Sequence, residues 1–120
     1  MGFIRKRVLQ LSRIPKDLDS VTSINRDREV DPRDVGMSHA DLDGIWDQVL
    51  KLYRTGTHPA ITVCIRRQGK TLLSRGIGHA RGNGPYDDPD EEKVLAPADT
   101  PICLYSTTKG ITALLMHMLA

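Results

Sequence analysis

The chain carries little surplus charge. Its formal net charge is +2 and its 11 arginines are scattered, too weak a field to imply a nucleic-acid partner. Long apolar runs are missing as well, and none approaches the roughly 18 residues a membrane span needs. Cysteine is scarce: Cys64 and Cys103 are the two present. Both sit in apolar runs, so the expectation is two small, buried, free thiols rather than metal or redox chemistry. His39, His58, His79 and His117 lack ligand spacing, and none is expected to hold a metal. Asp87, Asp88, Asp90, Glu91 and Glu92 lack the Asp-x-Asp-x-Asp-Gly spacing of a calcium loop and read as a solvated charged segment.

What remains is the composition of a globular protein, 39% hydrophobic and 27% charged over 120 residues. That is enough chain for one domain with its own core. The amino terminus starts basic, but its apolar stretch runs only from Val8 to Leu11, with Gln10 inside it, too short for a secretory core. Lys6 stands where a myristoylation start needs Ser or Thr. A cytoplasmic location is the expectation. Phe3, Ile4, Val8, Leu11 and Ile14 can line one side of a short basic helix, which makes a membrane surface an alternative partner for this end. The plainer reading of residues 1–37, with Pro15, Pro32 and many charges, is an extended or poorly ordered arm.

Clear periodicity begins at Ser38. Ser38 and Asp41 have the spacing of a capping box. Leu42, Ile45, Trp46, Val49, Leu50 and Tyr53 then form an amphipathic helical stripe, which places Trp46 in a core. Gly56 and Pro59 end the helix. From Ala60 to Arg67 the period changes to two, with Ile61, Val63 and Ile65 on one face. Gln68-Gly69-Lys70 makes a tight turn and Thr71 to Ile77 returns as a second strand. Gly76 and Gly78 complete no phosphate-binding pattern. Residues 80–100 read as a long polar loop.

The last stretch carries the chemistry. Ile111, Leu114, Leu115, Met118 and Leu119 predict a helix packed on a core. Thr107 and Thr108 suit its opening. Ser106 stands at the helix start and Lys109 one turn later, so hydroxyl and amine share a face. A serine nucleophile with a lysine base needs that proximity. Ser-x-x-Lys alone is weak, because six Ser and six Lys in 120 residues give about 0.3 matches by chance. A small structural α+β protein with a fortuitous match is therefore one reading.

The order of elements adds specificity. Helix Leu42–Tyr53, hairpin 59–78 entered through Pro59, Asp99-Thr100, then Ser106 through Lys109 and Thr112-Ala113-Leu114, resembles the opening of the serine β-lactamase and penicillin-binding-protein superfamily. The likeness is nearest to the branch of class C β-lactamases and related esterases, and it covers residues 38–120. It implies an α+β fold of the β-lactamase/transpeptidase type, of which 38–120 would be the amino-terminal portion. It implies Ser106 as nucleophile and Lys109 as general base on a small ester or lactam, through an acyl-enzyme and with no cofactor. The Ser106 N–H would be half of an oxyanion hole. The family's later Tyr-x-Asn or Ser-x-Asn element, and its Lys-Thr-Gly or His-Thr-Gly strand, do not occur after Lys109. Tyr53, Tyr86 and Tyr105 all precede Ser106, and Tyr105 reads as a packing residue. The expected cytoplasmic location favours an esterase. The alternative from a different class is a non-catalytic remnant that associates through exposed apolar surface.

Overall fold

Ser38 opens the first helix with a reciprocal cap. Its hydroxyl accepts from the Asp41 N–H at 3.1 Å, and the Asp41 carboxylate accepts from the Ser38 N–H at 2.8 Å. Two donors that the helix itself leaves unpaired are thereby satisfied. The fold is known from a computed structural model that describes residues 11–120. Helix α1 spans His39–Arg54, and Gly56 turns the chain away at a φ of 72°.

The hairpin follows as the periodicity predicts. Strand β2 spans Ala60–Arg67 and β3 spans Lys70–Arg81, in antiparallel register from Ala60↔Gly78 to Arg67↔Lys70. Gln68 and Gly69 join them with φ of 51° and 75°. Two left-handed residues match the twist of the flanking strands. Naming the earlier and later strands β1 (Thr22–Ile24) and β4 (Val94–Leu95), β3 lies between β1 and β2, while β4 pairs with its far end at His79↔Leu95. All pairings are antiparallel, and the chain is α+β.

Helix α1 covers one face of the sheet. Trp46 and Tyr53 pack with Leu18, Val21 and Ile77, flanked by Ile61 and Val63. Leu42 packs with Val35, Leu72 and Leu73, flanked by Ile45 and Ile65. Adjacent leucines in one cluster break strand alternation, and a register shift between Ile65 and Arg66 is the cause. Ile65 opposes Leu73 and Arg66 opposes Thr71, so Leu72 is an extra residue in β3. Such a bulge re-aims its side chain. Gly76 and Gly78 are glycines for want of room. A Cβ on Gly76 would collide with the Ala96 carbonyl, and one on Gly78 with the Pro59 carbonyl and the Tyr53 ring.

Several expectations need correction. Of the expected arm, residues 11–37 are packed: they supply β1, bury Leu18, Val21, Pro32 and Val35, and add Glu29. Burial works to raise the Glu29 carboxyl. Hydrogen bonds from the Arg75 side chain and the Ser74 N–H, with the Arg75 charge, more than offset it and hold the group below its ordinary value. Arg75 also stacks over Trp46, 5.4 Å from the ring centroid. The basic helix expected around Phe3, Ile4 and Val8 lies outside the described residues, but Leu11 and Ile14 are not helical. The polar loop holds β4. Both thiols are exposed, because Cys64 is on the sheet face away from α1 and Cys103 lies in an uncovered segment.

A further correction concerns the second long helix, α2, Thr108–Leu119. It forms where expected, but its apolar stripe packs on nothing among the described residues: every residue from Pro101 to Ala120 is exposed. Among the described residues, no helix is long and apolar enough to cross a membrane.

Candidate functional site

Ser106 lies in a single 3-10 turn, Tyr105–Thr107, that feeds directly into α2. The turn is entered through Tyr105 at a φ of 47°. A bulky residue in the left-handed region costs on the order of 1–3 kcal/mol, and such positions cluster at functional sites. The Thr107 N–H closes the turn onto the Leu104 carbonyl at 3.0 Å. Thr107 makes no side-chain cap, contrary to the expectation, and the Thr112 hydroxyl donates back to the Thr108 carbonyl at 3.1 Å.

Lys109 is the second residue of α2, so it follows Ser106 by about one turn, as expected. Among the described residues no hydrogen bond joins the two side chains. Both are exposed, so residues 11–120 do not supply the desolvation that favours a neutral lysine base. Tyr105 is 83% exposed and packs on no core, contrary to its reading as a packing residue. Upstream, Thr100 is fixed by its N–H and hydroxyl, which donate to the Pro97 carbonyl at 3.0 and 2.7 Å. This turn leads the chain from β4 toward Ser106. Ser106 and Lys109 therefore share one local element.

A different polar cluster is built into the packed part of the fold. His79, near the end of β3, and Asn83, two residues beyond the strand, are both buried. The Asn83 side-chain amide clasps the Arg13 backbone: its oxygen accepts from the Arg13 N–H at 3.1 Å, and its nitrogen donates to the Arg13 carbonyl at 2.8 Å. That fixes the amide's orientation, since the reverse would set donor against donor. The same nitrogen lies 3.2 Å from His79 Nδ1. Nδ1 must then accept, and the proton of the neutral ring belongs on Nε2. Burial lowers the His79 pKa from its ordinary value, and the nearby Lys93 charge adds to the effect. Nothing in the sequence marks His79 and Asn83 as a pair. The one hint is a histidine inside the otherwise small and apolar run from Gly76 to Ala80.

Among the described residues there is no group of three or more His, Cys, Asp or Glu placed to hold a metal ion. No protein-family model, curated protein or solved structure matches the chain.

Proposed function

We propose that the chain carries the nucleophile half of a serine hydrolase site, within a β-lactamase-like catalytic domain of which residues 38–120 are a part. Ser106 Oγ attacks the carbonyl carbon of a small ester. Its proton passes to the Lys109 amine and on to the leaving alcohol, and an acyl-Ser106 intermediate is left. Water then attacks the acyl carbon, releases the carboxylic acid and returns the proton to Ser106. The reading favours a carboxylesterase-like reaction over lactam hydrolysis, in a cytoplasmic setting.

The observation that carries this reading is the turn at Tyr105–Thr107. A left-handed Tyr105 sets a serine at the mouth of a helix, and Lys109 lies on that helix's first turn. The uncovered α2 stripe fits a catalytic domain with further structure to lay over it. In the full-length protein an acylating fluorophosphonate probe should label Ser106, and Ser106→Ala should abolish turnover of a short-chain aryl ester. Undiminished turnover by the alanine variant would sink the proposal.

The same exposed stripe favours a second reading, in which the chain is a non-catalytic module that self-associates. Leu114, Leu115 and Met118 are 62%, 54% and 74% exposed, and a contiguous apolar strip of this kind favours contact with another surface. Sedimentation of the 120-residue chain should then show a dimer or larger species that Leu115→Lys returns to monomer. A well-folded wild-type monomer that reacts with the probe removes this reading.

A further inference from the structure

The His79–Asn83 cluster borders a cleft that the hydrolase reading leaves unused. The cleft has a volume of about 410 Å³, and its walls include Arg13, Ser20, His79 and Lys93 together with the apolar Ile14 and Val21. No acidic side chain lines it. Arg13 and Lys93 are exposed at its edge. The Lys93 ammonium donates to the Pro89 carbonyl at 3.1 Å and to the Glu91 carbonyl at 3.5 Å, both neutral acceptors. Among the described residues neither cation makes an ion pair with a carboxylate.

His79 adds a directed donor. Its Nδ1 is committed to Asn83, so the ring N–H sits on Nε2. That nitrogen has no hydrogen bond among the described residues. It is also absent from the sealed, unpartnered side-chain atoms, which are the Ser12 and Tyr53 hydroxyls, so this edge of the ring is not closed off from solvent. The residue as a whole is 9% exposed. His79, with its neutral N–H on the unpaired Nε2, therefore lines a cleft that has two exposed cations, unpaired among the described residues, at its rim and apolar side chains in its wall. Water satisfies the donor but leaves the charges and the apolar wall unused. A purely inorganic anion satisfies the charges and leaves the wall unused. A carboxylate bearing a short apolar chain matches all three features.

We propose that this cleft binds a small aliphatic carboxylate, with its oxygens between Arg13, Lys93 and the His79 Nε2–H and its chain against Ile14 and Val21. The site is separate from Ser106 and does not depend on the hydrolase reading. Asn83 is a positioning residue: by holding both the Arg13 backbone and His79 Nδ1, it sets the spacing of the cleft wall and the tautomer of the ring.

Butyrate titrated into the 120-residue protein, followed by the His79 ring resonances in NMR, tests the assignment. The expected result is a saturable shift of those resonances. Arg13→Gln and Lys93→Gln should each weaken binding by about tenfold, the loss of one charge-assisted contact. Both side chains are exposed, and Arg13→Gln keeps the backbone groups that Asn83 clasps, so the variants retain the fold. Butanol should leave the resonances in place, and inorganic phosphate should bind at least about tenfold more weakly than butyrate, for want of apolar contact. A linear, unsaturable response to butyrate overturns the proposal. So does equal affinity for phosphate, or butyrate binding unchanged in both variants.

Discussion

Strand β3 and helix α2 are both apolar, and they meet opposite fates. From Leu72 to Gly78 every residue of β3 is buried or half-buried, with Leu73 and Ile77 at 0% exposure. Strand β3 has β1 on one side, β2 on the other, and α1 across one face. Helix α2 has nothing across it among the described residues. Its hydrogen bonds are internal, as in any helix, so its backbone is satisfied without neighbours. A strand cannot do this alone. The contrast separates two things that an apolar pattern conflates: the ability to form an element, and the presence of a partner to cover it. In β3 the burial of apolar area stabilises the fold. In α2 that area is still in contact with water, and a 12-residue helix without packing is marginal by itself.

The largest effect that can break this comparison is a pair of matched truncations. Leu73→Ala should cost about 2–5 kcal/mol, since it leaves a cavity in a closed cluster. Leu115→Ala should change stability by no more than about 0.5 kcal/mol. Urea unfolding of both variants measures the difference. Amide hydrogen exchange sharpens it, with slow exchange in β3 and fast exchange through α2. Equal costs for the two variants would mean that α2 is covered in solution.

A smaller effect concerns pH. His79 is held neutral in the folded state, with its pKa below the ordinary 6.5. The unfolded chain therefore binds the proton more readily. Stability contributed this way is present above 6.5 and is lost as pH falls from there through the lower folded value. One proton limits the slope to about 1.4 kcal/mol per pH unit. His79→Gln should flatten this part of the stability profile, whereas no substitution in α2 should alter it. An unchanged slope in the glutamine variant would locate the proton elsewhere.

Much of the packed region is legible because its signals are local. Ser38 and Asp41 are three residues apart, Gln68-Gly69 lies between two strands, and Ile61, Val63 and Ile65 alternate within one strand. The features that escape are those made by distant partners. Strand β1 is three residues long and has no pattern of its own. It is defined by its pairing with Arg75, Gly76 and Ile77 of β3, which lie far along the chain from Thr22, Ser23 and Ile24. Glu29 and Arg75, or Asn83 and Arg13, meet only once the chain has folded. Strand β4 has just two residues. Cys64 shows the converse error: an apolar run in a strand implies two buried faces, yet the face away from α1 is open at this position. For the candidate site, the turn and helix that carry Ser106 and Lys109 are local and readable. Their covering is not, since it depends on what lies over α2.

The clasp made by Asn83 also bears on how the protein ages. Asn83-Gly84 is a dipeptide prone to deamidation, in which the glycine nitrogen attacks the asparagine side-chain carbon and ammonia is lost. Here both reacting groups are occupied. The Asn83 amide is held by the Arg13 backbone, and the Gly84 N–H donates to the Asp87 carboxylate at 2.7 Å. Folded protein should keep its asparagine through long storage, while urea-unfolded protein at the same pH converts to aspartate and isoaspartate, as peptide mapping can show. Equal conversion in the two states would mean that the clasp opens freely. Once converted, the side chain presents an oxygen to the Arg13 carbonyl where it had presented an N–H, so chemical damage acquired while unfolded would hinder the return of the amino-terminal segment to its place beside β3.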